Sequence, residues 1–293
     1  MTKNNTCLSK YKIVVLIFIL AIGFVIAVYG PRPSNDRDWT VDNAVLPYAE
    51  FHDDSTVTIH NIRNFSYTSV SDFTPAYYDK TFNLDDIRTV DFFNEPFSGV
   101  AAHTFLSFGF GTSTEPTDFV AISVEVRREK GESFNAWAGL FNNFELMYVI
   151  ADERDVLRLR TNYRKGDVYR YPINVSQAKA RALFVDMLTR ADKLYSEPEF
   201  YNTLTNTCTT NIVDGVNDIA DADAKISLSW KYIFPKYSAG LAYDLGLLKG
   251  LPAGALAQTG EGSFEGIQSQ SLITPIAQKY NNDPDFSLRV RGR

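Results

Sequence analysis

The stretch Tyr201-Asn202-Thr203-Leu204-Thr205-Asn206-Thr207-Cys208-Thr209-Thr210-Asn211 changes character at its end. A run of small polar residues gives way to Ile212, Val213, Val216, Ile219 and Ala220, spaced as one buried face of a helix would be. The pattern predicts a turn feeding a short helix. Asn206 or Thr207 would be its N-cap, accepting an otherwise free backbone N–H, and Cys208 would sit in the first turn. There the unpaired N–H groups and the helix dipole favour thiolate over thiol. Cys208 is therefore read as a nucleophile. The competing reading is an inert buried cysteine, the commoner fate of a free thiol. Its polar neighbours, Thr205 to Thr207 before and Thr209 to Asn211 after, argue against that.

Upstream lies a hairpin. Val100 to Phe110 alternates so that His103, Phe105, Ser107 and Gly109 share one face, and Thr104, Leu106, Phe108 and Phe110 the other. Phe119 to Arg127 follows, with Val120, Ile122, Val124 and Val126 on one face and Ala121, Ser123, Glu125 and Arg127 on the opposite one. One side of this hairpin is apolar. The other carries His103 and Glu125, residue types that can act as base and orienting carboxylate for a thiol. In that arrangement His103 shares the thiol proton and Glu125 holds the imidazole. The Cys208 backbone N–H, with Asn206 or Asn202, would donate to a developing oxyanion. A structural pair between Glu125 and Arg127 or Arg160 is the alternative for the carboxylate. His52, among Asp53 and Asp54, reads as solvated, and His60 as a structural strand histidine.

Thr56 to Ile62 predicts a strand, Asn64 to Tyr78 strand plus loop, and Leu84 to Phe92 a short helix after Asn83. Glu145 to Ile150, Val156 to Thr161 and Asp167 to Ile173 read as further strands. Ser176 to Tyr195 is the strongest helix, with an apolar stripe from Ala180 to Leu194. Ile226 to Tyr232 reads as a strand or extended segment. Ala239 to Leu248 and Ile267 to Tyr280 read as helices, and Gly250 to Gly262 as a loop. The charge run Asp152-Glu153-Arg154-Asp155, continued by Arg158 and Arg160, reads as surface; the minority reading gives Arg160 or Arg164 an anionic substrate group. The class is α+β: a mainly antiparallel sheet packed on helices.

The chain has 293 residues, 45% hydrophobic and 14% aromatic, an ordinary globular composition. Lys3, Lys10 and Lys12 precede an uncharged apolar run at 13–30, about long enough to span a bilayer as a helix. The lysines predict a cytoplasmic tail at 1–12, a single uncleaved anchor at 13–30, a linker at 31–38 and an extracytoplasmic domain at 39–293. A cleaved signal peptide is the rival reading; the run is long for one. Cys7 and Cys208 would lie on opposite sides of the membrane, so Cys208 has no disulfide partner within the chain. Without the three N-terminal lysines, 26 basic residues face 35 acidic ones, a net charge of −9 that disfavours nucleic acid or a generic anionic-lipid patch as the main partner. Three scattered histidines and one external cysteine make no metal site, and no cofactor fingerprint is present.

His-Thr-Phe-Leu-Ser-Phe-Gly-Phe at 103–110, Ser-Val-Glu-Val-Arg-Arg-Glu at 123–129, Glu-Leu-Met-Tyr-Val-Ile-Ala-Asp-Glu-Arg-Asp-Val at 145–156 and Phe-Tyr-Asn-Thr-Leu-Thr-Asn-Thr-Cys-Thr-Thr at 200–210 resemble the Lnb N-terminal periplasmic domain family. The likeness runs from about Trp39 to Leu248. It implies a permuted papain-like thiol fold of the NlpC type, with histidine before cysteine, as here. It further implies acyl transfer through a thioester on Cys208 with His103 as base, from a phospholipid donor to an amine such as that of a lipoprotein. The setting would be the bacterial inner membrane, with the large domain in the periplasm. Full acyltransferases of this kind carry several further membrane helices; the best late apolar run here is broken by Asp244. That difference leaves room for a membrane-protein partner, for a cysteine amidase acting on an envelope amide of the peptidoglycan type, or for a non-catalytic binding module.

Overall fold

The computed structural model describes residues 12–18, 30–249 and 263–293. The chain divides into two compact units, Met1–Ser34 and Asn35–Arg293. In the first, residues 12–18 are helical. Among the described residues no helix is long and apolar enough to cross a membrane. The predicted tail and most of the predicted anchor lie outside the described residues, as does the loop read at Gly250 to Gly262. The second unit begins inside the segment read as a linker. Asn35 donates to the carbonyls of Leu194 and Tyr195, and the Arg37 guanidinium bonds Glu129 at 3.0 Å.

The second unit is built on an eight-stranded sheet of β1 (Tyr48–Phe51), β2 (Thr56–Arg63), β5 (Tyr77–Asn83), β6 (Ile87–Ser98), β7 (Ala101–Phe110), β8 (Asp118–Arg127), β9 (Glu145–Ala151) and β10 (Tyr169–Pro172). The order is β1-β2-β9-β8-β7-β6-β10, with β5 also on β2; β3 (Ser66–Tyr67) and β4 (Phe73–Thr74) pair separately. Every pairing is antiparallel except the brief contact of β2 with β9 at Arg63 and Ala151. One face carries Leu106, Phe108, Val120 and Ile122 under the helices Gln177–Ser196 and Cys208–Ile219. The Gln177–Ser196 stripe from Ala180 to Leu194 is buried, as its spacing predicts. The opposite face carries Phe93, Phe105, Ala121 and Met147 under residues from three short helices near 156, 277 and 286.

Four segments differ from the sequence reading. Leu84 to Phe92 is one 3-10 turn, Leu84–Asp86, followed by β6; the Asn83 side chain accepts from Asp85 N–H. The cap signal was real, but pairing along the whole of β7 outweighed any continuation of the helix. Val156 to Thr161 is helical: Glu153–Arg158 is an α-helix capped by Asp152, and Leu159–Tyr163 continues it as a π-turn. Ile226 to Tyr232 contains no strand, only the start of a helical turn at Trp230–Ile233. Ile267 to Tyr280 is two helices, Phe264–Ser271 and Thr274–Lys279.

The charge run at 152–160 is not surface. Glu153, Asp155 and Arg160 are buried. Asp155 accepts from Arg63 Nε and Nη2 at 2.9 Å each, from Phe65 N–H and from the Tyr67 hydroxyl. Glu153 accepts from Ser107 and Arg291. Burying a charge is tolerable only when paired and hydrogen-bonded. Asp155→Asn therefore strands Arg63, and an expected loss of about 3–5 kcal/mol in unfolding free energy follows. A urea titration checks it; a loss below about 1 kcal/mol would mean the pair contributes little.

Candidate active site

The Cys208–Ile219 helix starts at Thr207 with a reciprocal cap. The Thr207 hydroxyl accepts from Thr210 N–H at 3.2 Å, and the Thr210 hydroxyl accepts from Thr207 N–H at 2.7 Å. Asn211 ties the start down further, donating to Thr207 O and to Asn206 Oδ1. These bonds fix Cys208 at the first helical position, where its backbone N–H has no acceptor within the helix.

Pairing between β7 and β8 ends at Phe105 and Ser123. His103 and Glu125 therefore lie just past the last rung, on one face, while Glu95 faces His103 directly across from β6. His103 Nε2 is 2.7 Å from Ser123 Oγ and 3.2 Å from Glu125 Oε1. With Nε2 protonated, the ring donates to Ser123, whose hydroxyl donates to Glu125 Oε1 at 2.7 Å. Nε2 being occupied, Nδ1 is the nitrogen left for sulfur. The ring acts on the Cys208 thiol, and the sulfur also lies 3.8 Å from Thr209 Oγ1. Thr104 and Thr209 join strand to helix through their hydroxyls at 2.9 Å.

The electrostatics follow from these contacts. Burial opposes charge on His103, yet Glu125 and the thiol hold its pKa up at about 9. Burial likewise opposes a thiolate, but His103 and Thr104 bring Cys208 down to about 7. Glu125 resists burial through His103 and Arg160 and stays well below the usual carboxylate range. Between about pH 7 and pH 9 the arrangement favours a thiolate beside an imidazolium.

The remaining predicted residues fare differently. Arg160 is 2% exposed. It bonds Glu125 Oε1 at 2.7 Å and Glu95 Oε2 at 3.1 Å, so it neutralises the carboxylates flanking His103 and is not free for substrate. Gly166 leaves room for this cluster: a Cβ there would lie 2.6 Å from Glu95 Oε1. Arg164 is exposed nearby, and Glu125 and Glu95 act on it only at range. It remains available to an anionic group. Asn202 and Asn206, the oxyanion candidates, are bonded within and beside their own turn. The Asn202 carbonyl accepts from Leu204 and Thr205 N–H and its amide donates to Leu140 O. The Asn206 amide donates to Phe200 O. Polar turn residues of this kind satisfy their own loop first. His52 is exposed beside Thr58, and His60 stacks on Tyr48 and bonds Asp79.

Sequence reasoning missed Ser123 and Glu95. Ser123 was visible on the Glu125 face; that it stands between the ring and the carboxylate depends on the cross-strand register. Glu95 was hidden because the helix read at Leu84 to Phe92 stops short of it, and the strand that carries it across from His103 was not foreseen.

An apolar cavity of about 450 Å³ opens beside this site. Thr209, the residue after Cys208, lines it together with Leu106, Leu183, Ile212, Val213, Val216 and Leu241. Among the described residues no cluster of histidine, cysteine and carboxylates suits a metal ion.

Fold and site define an α+β domain holding a single thiol next to a histidine on a mostly antiparallel sheet. The chain belongs to the Lnb N-terminal periplasmic domain family, whose model matches residues 73–236. That span holds His103, Ser123, Glu125 and Cys208, and membership makes this an extracytoplasmic domain. No curated protein and no solved structure matches the chain.

Proposed function

We propose that the protein is a membrane-anchored extracytoplasmic thiol acyltransferase of permuted papain-like architecture. The apolar run at 13–30 would anchor it in the bacterial inner membrane, and a phospholipid would be the acyl donor. The Cys208 thiolate attacks the ester carbonyl carbon. A C–S bond forms, the C–O bond breaks, and the departing alkoxide takes its proton from the His103 imidazolium. The Cys208 backbone N–H faces the oxyanion. An amine, such as the N-terminus of a lipoprotein, then attacks the thioester, giving its proton to His103 and releasing the thiolate. Arg164 is the candidate for an anionic group on either substrate, and a membrane-protein partner is the candidate source of further membrane helices.

The observation that carries this reading is the apolar cavity. It falls within the size range of small-molecule sites, and Thr209, one of its lining residues, has its hydroxyl 3.8 Å from the Cys208 sulfur. An envelope peptide, the substrate of an amidase, has no use for such a lining; a fatty acyl chain does. Val216→Phe narrows the cavity without touching the thiol. The expected result is a fall of about tenfold in acylation by a long-chain donor relative to a two-carbon one, equivalent to losing about two buried methylenes at roughly 0.8 kcal/mol each. Intact-protein mass spectrometry of the thioester reads both. An unchanged preference, or no thioester with any acyl donor, would return the amidase reading to the front.

A further inference from the structure

We infer that a second cavity, at the β10 edge of the sheet, binds a phosphate-type oxyanion. It has a volume of about 300 Å³ and is lined by Arg88, Arg170, Lys249, Arg291 and Arg293 together with Thr89. The whole chain carries a net charge of −6, yet five cations meet here, against Asp91 and Glu115 in the lining and Asp86 and Glu153 beside it.

Each arginine of the lining already has a carboxylate partner, so Lys249 is the cation left over among the described residues. Asp91 is shared by Arg170 and Arg291 at 2.9 Å each. Glu115 bonds Arg293, Glu153 behind the cavity takes Arg291, and Asp86 stands 3.3 Å from Arg88. Lys249 is exposed and makes no ion pair among the described residues. Two further polar atoms on lining residues, Thr89 Oγ1 and Arg170 Nε, are buried with no hydrogen-bond partner among the described residues. Unused buried hydrogen-bonding capacity is costly, and such atoms are uncommon.

Guanidinium groups match phosphate oxygens in planar pairs, and an ammonium adds a point charge. A tetrahedral anion with several acceptor oxygens matches a lysine set among paired guanidinium groups better than a carboxylate, which has one charge and two oxygens. The site is separate from the thiol: Val90 pairs with Phe108 and Glu95 with His103, five residues or about 17 Å along β6. It shares Val90, Ile173, Asn174 and Val175 with the apolar cavity. The phosphate could therefore be that of a small soluble ester or the head of an amphiphile whose tail lies next door.

The test uses the full chain carrying Cys208→Ser, so that it stands apart from any thiol chemistry. Calorimetric titrations at constant ionic strength would use inorganic phosphate, glycerol 3-phosphate, dihexanoyl phosphatidylglycerol below its micelle concentration, and acetate. Saturable phosphate binding is expected. It should weaken at least about tenfold in Lys249→Glu and not in Lys130→Glu, which reverses an exposed lysine elsewhere. Tighter binding of the lipid than of glycerol 3-phosphate would identify a headgroup as the source; equal binding would identify a soluble phosphate. Absence of saturable phosphate binding, equal binding of acetate, or an unaltered Lys249→Glu would each overturn the assignment.

Discussion

Cys208→Ser is expected to lower the rate of acyl-enzyme formation by at least about 10⁴-fold, the scale seen when a covalent nucleophile is removed. The unfolding midpoint should stay within a few degrees of wild type. Serine is nearly isosteric, and the helix start is held by Thr207, Thr210 and Asn211, not by the thiol. The chemical loss is large because His103 lowers the thiol pKa to about 7. A serine hydroxyl starts so much higher that the same imidazolium leaves it protonated. Mass spectrometry after exposure to a short-chain acyl donor reads the adduct, and differential scanning calorimetry reads the fold. A serine variant that acylates at the wild-type site and rate would remove Cys208 from the chemistry.

The parts of this site that could be read from the sequence share a physical property: their signal is local. Strict alternation in Val100 to Phe110 and Phe119 to Arg127 places His103 and Glu125 on one face whatever the rest of the chain does. A polar turn ahead of Ile212 and Val213 likewise announces a helix start at Cys208. Both are present. The unreadable parts depend on distant partners. Asp155 and Glu153 look like surface charges until Arg63 and Arg291, 92 and 138 residues away, are placed against them. Short segments such as Leu84 to Phe92 and Val156 to Thr161 do not fix their own period. The first became a strand because β7 and β10 flank it, and the second a helix because Asp152 caps it. Asn202 and Asn206 looked free in the sequence, but each amide donates to a backbone carbonyl in the structure.

His103→Ala should separate two roles of the imidazole. The first is to hold the thiolate. In wild type the alkylation rate with iodoacetamide should rise through about pH 7 and then level off, because the His103 cation depresses the thiol pKa and the reactive thiolate persists above that value. Removing the ring leaves burial, which pushes the thiol upward, to or beyond its ordinary value of about 8.5. At pH 7 the variant should therefore alkylate at least about 15-fold more slowly. The gap should close to about twofold or less near pH 9.5, where the thiol ionises unaided. The second role is to protonate the leaving group. His103 stays protonated up to about pH 9. Acyl transfer in wild type should therefore fall again above that pH while alkylation does not, and in His103→Ala it should drop about 10²–10⁴-fold across the range. Both limbs bound the same ion pair: acid removes the thiolate and alkali removes the imidazolium. Coincident alkylation profiles for wild type and variant would mean that the imidazole does not pair with the sulfur, and Cys208 would then be an inert buried cysteine.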